Sequence, residues 1–535
     1  MTDKYDFHKI GQILMYAFKG FEPTASIKNA IQEKGIAGVT FFRPFNLKGP
    51  SQTRALTMNL QQTAQQHGVP KLLIAADQEG GQLIALGDGT TPFPGNMALG
   101  ATQDPMLAER VGRAIGTELA AVGININYAP VADISSEPKN PSVGLRSFGD
   151  EPALVADMVT AFVQGVQSAG VAATAKHFPG SGEAAVDPHY HVPVIECTRE
   201  ELHRRELKPF TAAIKRGVKL LMTGHIAVPE ITGNPELPAT LSAQILDELL
   251  RDELSFTGLV ISDAMEMGAI AQGDNQVIDM VAAFLAGVDL LLLNDDTDVQ
   301  NKSYWGLRQA LHRRLIPKER FRHSLDRLND LRTWLVGFEQ PPLEVVNCKE
   351  HNQLASEVAQ RAITLVKDER ALLPLRLGPD RKIAVVVPDP VDLTPADTSS
   401  YETIDLDRAI KKYHPSVEQI NVPHYPDEKE LRVIKMRLTN FDLVIACSIN
   451  AHMNDRQADL MNMILTLEKP VVAVALRTPY DLMVYPGAAT YVCSYGILQP
   501  SVQSLVDALF GKIAFSGVLP VTIPDHYPCG FRLEK

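Results

Sequence analysis

Short apolar runs that end in polar residues recur along the first part of the chain. They cover residues 12–16, 38–42, 72–76, 124–128, 171–174, 219–222, 259–261 and 288–293. Runs of this length, bounded by turn residues, read as strands buried on both faces. Amphipathic stretches lie between them, such as 105–122 (PMLAERVGRAIGTELAAV) and 152–170. Strand alternating with helix implies a parallel sheet. Eight such units predict a closed (β/α)8 barrel of the TIM type over residues 1–335.

Glu339-Gln340-Pro341-Pro342 marks a linker, placed at 336–348. Residues 349–375 then read as a helix followed by a strand. The runs 382–387, 443–447, 471–476 and 490–494 are strand-like, with helices between. This pattern predicts a C-terminal α/β/α sandwich domain over 349–535, and an α/β class for the whole chain. No GxGxxG follows the first strand of this part and there is no P-loop, so a nucleotide role has no support.

Composition narrows the classes. The chain has 535 residues, 45% hydrophobic and 21% charged, which fits a globular protein of more than one domain. Its net charge is -12 with no long Lys/Arg run, against a nucleic-acid footprint and against attraction to anionic membranes. The five cysteines are scattered and form no CxxC pair, so a disulfide framework or zinc ribbon is not expected and a reducing compartment fits. The opening MTDKYDFHKIGQILMYAF lacks the basic and apolar regions of a signal peptide. No stretch approaches the roughly 20 apolar residues of a spanning helix. The expectation is a cytoplasmic protein with neither membrane nor nucleic-acid partner.

In barrels of this kind function sits at the C-terminal ends of the strands. Those ends are polar here. The third run is followed by Asp77-Gln78-Glu79-Gly80-Gly81, and the fourth by Asp133 and then Gly144-Leu145-Arg146-Ser147-Phe148. The fifth leads to Lys176 and His177, the sixth to His225, and the seventh to Asp263. Each has a plainer reading. Asp263 can cap a helix over AMEMGAIA, Glu79 can be a turn carboxylate, and Arg146 can pair with Asp150 or Asp133. His225 can be a satisfied core histidine. Their convergence on one rim favours function.

The loop after the fifth strand is the richest stretch. Residues 175–194 read AKHFPGSGEAAVDPHYHVPV, with Gly, Pro and titratable groups in quantity. Asp187 and His189 flank Pro188. A histidine titrates near working pH, and a neighbouring aspartate can orient it for proton transfer. The plainer alternative is a solvated loop in which Asp187 starts an Asx turn.

These residues carry a resemblance. The chain resembles glycoside hydrolase family 3, in its β-N-acetylglucosaminidase branch with a second domain. The carrying segments are 11–15 (GQILM), 77–81 (DQEGG), 93–100 (FPGNMALG), 144–149 (GLRSFG), the 176–191 loop, 260–264 (VISDA), 371–375 (ALLPL) and 519–524 (LPVTIP). The resemblance implies Asp263 as nucleophile and His189 as acid/base, assisted by Asp187. It implies that Asp77, Arg146, Lys176 and His177 hold a terminal N-acetylglucosamine, and His225, on the same rim, is expected to contact the substrate with them. No cofactor and no metal is implied. The implied substrates are cell-wall muropeptide fragments, as in peptidoglycan recycling, or small chitooligosaccharides.

Two positions depart from the family pattern. Ala85 stands where relatives commonly carry Arg, so one sugar contact is missing or supplied elsewhere. Ser181-Gly182 and Asp187-Pro188-His189 replace the usual HG and DSH, and Pro188 is expected to stiffen the loop. Three other readings stay open. One is a phosphorylase, because a neutral imidazole base would not repel phosphate as a carboxylate would. Another is a metal-dependent barrel hydrolase, prompted by His189-Tyr190-His191. The last is a sugar-binding protein without turnover, prompted by Ala85.

Overall fold

The structure, a computed structural model, describes residues 7–184, 186–270 and 276–534. The first six residues, on which part of the signal-peptide expectation rests, lie outside the described residues, as does Ala271 of the AMEMGAIA stretch.

Eight parallel strands form the first sheet: β1 (Leu14–Ala17), β2 (Gly38–Phe41), β3 (Leu73–Ala76), β4 (Ile126–Asn127), β5 (Ala172–Phe178), β6 (Leu220–Thr223), β7 (Leu259–Ser262) and β8 (Leu291–Leu293). Their order is β8-β1-β2-β3-β4-β5-β6-β7, and a parallel bridge from Ile261 to Leu290 joins the ends into a barrel. Side chains alternate along each strand. Leu73, Ala75, Leu220, Met222, Leu259 and Ile261 pack inside the barrel. Ile74, Ala76, Leu221 and Val260 join the layer beneath the helices. Both faces are dry, which is why these strands read as continuous apolar runs.

Two strands differ from their runs. The 124–128 run keeps only two residues of regular strand, although the Asn125 amide still donates to the Ile74 carbonyl and its carbonyl accepts from the Ala172 amide; its side chain also bonds the Leu72 carbonyl and the Ile74 amide. The 171–174 run continues to Phe178, and its register with β6 shifts between Lys176 and Phe178. That bulge opposes two residues to one. It matters for the site, because a regular strand would turn Lys176 and His177 to opposite faces.

A second sheet has six strands: β9 (Thr364–Asp368), β10 (Ile383–Pro388), β11 (Val417–Val422), β12 (Leu443–Ser448), β13 (Val471–Ala475) and β14 (Thr490–Cys493). Their order is β9-β14-β13-β12-β10-β11, with only β9 antiparallel to its neighbour. Ala384, Val386, Val444 and Ala446 pack on one face against the helices Glu428–Leu438 and Asp455–Leu465. Ile383, Val385, Leu443 and Ile445 pack on the other against Gln499–Leu509. The result is an α/β/α sandwich.

Barrel and sandwich share apolar surface. Met97, Ala98, Ala101 and Leu145 from the barrel side belong to the same buried cluster as Tyr480, Tyr485 and Leu519. Buried Glu118 accepts from the Thr91 amide and hydroxyl, the Asn347 amide and His351, which pins the connecting segment. Among the described residues no helix is long and apolar enough to cross a membrane.

Candidate active site

A cavity of about 510 Å³ opens at the C-terminal end of the barrel strands. Asp77, Arg146, Lys176, His177, His189, His225 and Asp263 all line it. Five different strands, through their ends or the loops after them, therefore deliver their polar groups to one place.

The floor is a four-membered ion cluster. Lys176 Nζ lies 2.5 Å from Asp77 Oδ1 and 2.6 Å from Glu79 Oε1. Arg146 clasps Glu79 with two parallel bonds of 2.9 and 2.8 Å and donates to the Ser142 carbonyl at 3.1 Å. Burial works against charge on Glu79, but Arg146 and Lys176 override it and hold the carboxyl at about 2. Burial likewise opposes the Lys176 charge, and Asp77 with Glu79 restores it. Burial pushes the Asp77 carboxyl upward while Lys176 opposes it. The plainer reading of Glu79 is corrected: it is the anchor of both cations. Arg146 pairs with Glu79, not with Asp150 or Asp133. Lys176 and Arg146 keep N–H groups beyond those bonds, since an ammonium carries three and a guanidinium five.

Two histidine–aspartate pairs stand above this floor. His177 Nδ1 lies 2.8 Å from Asp133 Oδ2, and the same carboxylate accepts from the His177 and Ser181 amides. His189 Nδ1 lies 2.6 Å from Asp187 Oδ1, which also accepts from the His189 amide at 2.9 Å. The Asx turn and the dyad are thus one arrangement, with Asp187 in both roles. Burial raises Asp187, but the His189 ring and amide outweigh it and hold the carboxyl below its usual range. In both pairs an Nδ1–H donated to the carboxylate leaves Nε2 for the cavity.

Asp263 follows β7 in a bend, and no helix begins over the described residues 264–270, so it is not a helix cap. Its Oδ1 accepts from the Ala264 amide at 2.8 Å. Burial opposes its charge, yet the imidazoles of His177, His225 and His189 and that amide hold it below the usual aspartate range. The loop bearing His189 is tied to the segment after Asp263. Gly268 N–H donates to the His189 carbonyl at 3.0 Å and Ala269 N–H to the Pro188 carbonyl at 3.2 Å.

His225 sits differently from the expectation of a sugar contact. Its Nδ1 bonds Thr240 Oγ1 at 2.8 Å and its Nε2 the Ala264 carbonyl at 3.0 Å. Burial lowers its proton affinity. Both nitrogens are occupied, so it braces the backbone beside Asp263. His191 is exposed and does not join a ligand set, and among the described residues no group of three or more His, Cys, Asp or Glu converges to hold a metal ion.

Four contributors were given no role from sequence. Glu79 and Asp133 were visible at strand ends but not assigned. Arg43, just past β2, also lines the cavity; its Nη2 donates to Asp88 at 3.0 Å and its Nη1 lies 3.5 Å from a Glu402 oxygen. The fourth is residues 392–401 of the sandwich, which wall one side. Thr398 bonds Gln82 and the Ile84 amide, and Arg477 holds Asp397 at 2.8 Å and reaches Gln82. No local pattern signals such a long-range contact.

Residues 7–331 match the Glycosyl hydrolase family 3 N terminal domain, and 363–529 match the Glycosyl hydrolase family 3 C-terminal domain. A beta-hexosaminidase A of Pseudoalteromonas piscicida is 34% identical over 65% of this chain, and the match spans 62% of that relative. A beta-N-acetylglucosaminidase/beta-glucosidase of Cellulomonas fimi is 30% identical over 87% of this chain and 86% of its own. The structure of a glycoside hydrolase family 3 beta-N-acetylglucosaminidase from Paenibacillus sp. str. FPU-7 superposes with a TM-score of 0.92 at 34% identity, over 96% of this chain and 98% of that one.

Proposed function

The chain belongs to glycoside hydrolase family 3, and on that premise we propose that it is a retaining exo-β-N-acetylglucosaminidase with a histidine acid/base. One observation carries the reading: an ionised aspartate, Asp263, shares a cavity with a loop-borne His189–Asp187 pair bonded to the segment after it. Retention needs a nucleophile on one side of the sugar and a proton donor at the leaving oxygen on the other.

The first step is attack of an Asp263 oxygen on C1. The bond to the leaving oxygen breaks, its electron pair stays with that oxygen, and the oxygen takes the proton from His189 Nε2. Asp187 stabilises the imidazolium beforehand. In the second step neutral His189 takes a proton from water as that water attacks C1, and the ester bond to Asp263 breaks to regenerate the carboxylate. Proton transfer of this kind contributes about 10²- to 10⁴-fold. His177, which lines the same cavity as Asp263, serves a sugar hydroxyl. Asp77 accepts from sugar hydroxyls, and Lys176 and Arg146 donate to them. Arg43 supplies the cation that Ala85 lacks: both line the cavity, and the Arg43 guanidinium rests against Gly87.

The substrates are small N-acetylglucosamine-terminated saccharides, muropeptide fragments or chitooligosaccharides. Phosphate in place of water remains the second reading, because neutral His189 does not repel an anion. A panel of p-nitrophenyl N-acetylglucosaminide and glucoside, with and without phosphate, tests both. Release of N-acetylglucosamine with the β configuration is expected; a sugar 1-phosphate identifies a phosphorylase, and no release from the N-acetylglucosaminide overturns the proposal.

A further inference from the structure

We propose that His452, in the sandwich domain, is a positioning residue for the acid/base loop, acting through the turn at 137–140. This rests on the catalytic reading above. His452 lies in the turn Ala451–Met453 after β12. Its side chain is 2% exposed and that of its partner Asp481 is 0% exposed. Nδ1 is 2.8 Å from Asp481 Oδ1, and Nε2 is 2.9 Å from the carbonyl oxygen of Pro138, on the barrel. Asp481 also accepts from the Ser448 hydroxyl at 2.6 Å and the His452 amide at 3.1 Å.

A carbonyl only accepts, and so does an ionised carboxylate. This buried pair is one of several polar links between the two domains, beside Ser135 with Tyr480, Asp150 with Thr522 and Gln82 with Arg477. What it fixes is the carbonyl two residues before Asn140. Asn140 donates to the Ser181 carbonyl at 2.8 Å and the Gly182 carbonyl at 3.1 Å, while its Oδ1 accepts from the Ser142 and Val143 amides. Ser181 and Gly182 begin the stretch that carries Asp187 and His189. Gly182 lies so flat on the barrel that an added Cβ would fall 1.6 Å from the Ile134 carbonyl oxygen, so the stretch has one seat only. The same turn sets Ser142, whose carbonyl holds Arg146. His452, Pro138, Asn140 and the 181–182 backbone form one continuous chain of bonds and covalent links into the loop.

The test uses full-length protein and two substrates. Chitobiose has a poor leaving group that needs a proton, and 2,4-dinitrophenyl N-acetylglucosaminide has one that hardly does. His452→Ala is expected to lower kcat/KM on chitobiose by about tenfold or more and on the dinitrophenyl substrate by about twofold or less. His452→Gln, which keeps one donor for the Pro138 oxygen, should recover part of the loss and also carries the test if the Ala variant does not fold. Equal losses on the two substrates, or no loss in a folded variant, overturn the proposal. His189→Ala run alongside separates the failures. If it too shows no leaving-group dependence, the acid/base reading itself is wrong; if it does and His452→Ala does not, only the positioning role falls.

Discussion

At the scale of single residues, the site divides charges between tasks by environment. Glu79 is a buried acid and Asp263 a half-buried one; the first is bonded to two cations and the second faces imidazoles. Glu79 accepts three contacts from Arg146 and Lys176, whereas Asp263 has an ionised oxygen beside only one backbone donor. Asp263→Asn is expected to lower kcat on the p-nitrophenyl substrate by about 10³-fold or more with its melting temperature little changed. Because Asp263 is held below the usual range, activity on the dinitrophenyl substrate should stay level as pH falls through ordinary aspartate values. It should drop only lower, as the carboxylate gains its proton. Glu79 has a stability signature. Its folded value of about 2 lies below the model-compound 4.5, so its contribution is full above about 4.5 and is lost as pH falls toward 2. Glu79→Gln should cost about 3 kcal/mol in urea melts at pH 7, and the gap to wild type should narrow between pH 4.5 and 2. Arg43→Ala should raise KM about tenfold with kcat nearly kept, as expected for lost ground-state binding. An unchanged KM would return the missing contact at Ala85 to the list of unfilled positions.

At the scale of elements, what could be read in the sequence follows what each element buries. The barrel strands are dry on both faces, and every one has a described strand within or beside its apolar run. The strand Val417–Val422 was missed because it is a sheet edge with exposed Glu418 and Asn421, so its residues VEQINV show no continuous run. The short hairpin of Gln78–Gly80 with Leu83–Ile84 was also missed, its register being set by a bulge and by bonds to the sandwich. Pro188 was read as stiffening the loop; it follows Asp187 inside a turn in which Tyr190 N–H donates to the Asp187 carbonyl at 3.1 Å, the place where proline suits a turn. The seat of that loop is a glycine. A Cβ on Gly268 would lie 2.7 Å from the His189 carbonyl oxygen and 2.9 Å from that of Tyr190. Gly268→Ala should therefore push the dyad outward and lower kcat on chitobiose by about ten- to a hundredfold, with a smaller effect on the dinitrophenyl substrate. Equal activity of the variant on both substrates would mean that the loop adjusts without moving His189.

At the scale of the whole molecule, the second domain is part of the pocket. Its 392–401 segment closes one wall, and Arg477 clamps that segment to the hairpin through Asp397 and Gln82. The eight strand ends could be placed from sequence because a barrel has one functional rim. The wall could not, because it depends on how two separately folded layers dock. Arg477→Ala should loosen the wall and raise KM for chitobiose by about fivefold or more, read in steady-state kinetics beside a melting curve. The central claim is covalent catalysis by Asp263, and mass spectrometry of His189→Ala protein quenched during turnover of the dinitrophenyl substrate tests it most directly. An N-acetylhexosaminyl ester on the peptide that carries Asp263 is the expected result. No adduct at any carboxylate, together with inverted configuration at C1 in the product of the wild-type protein, would contradict it.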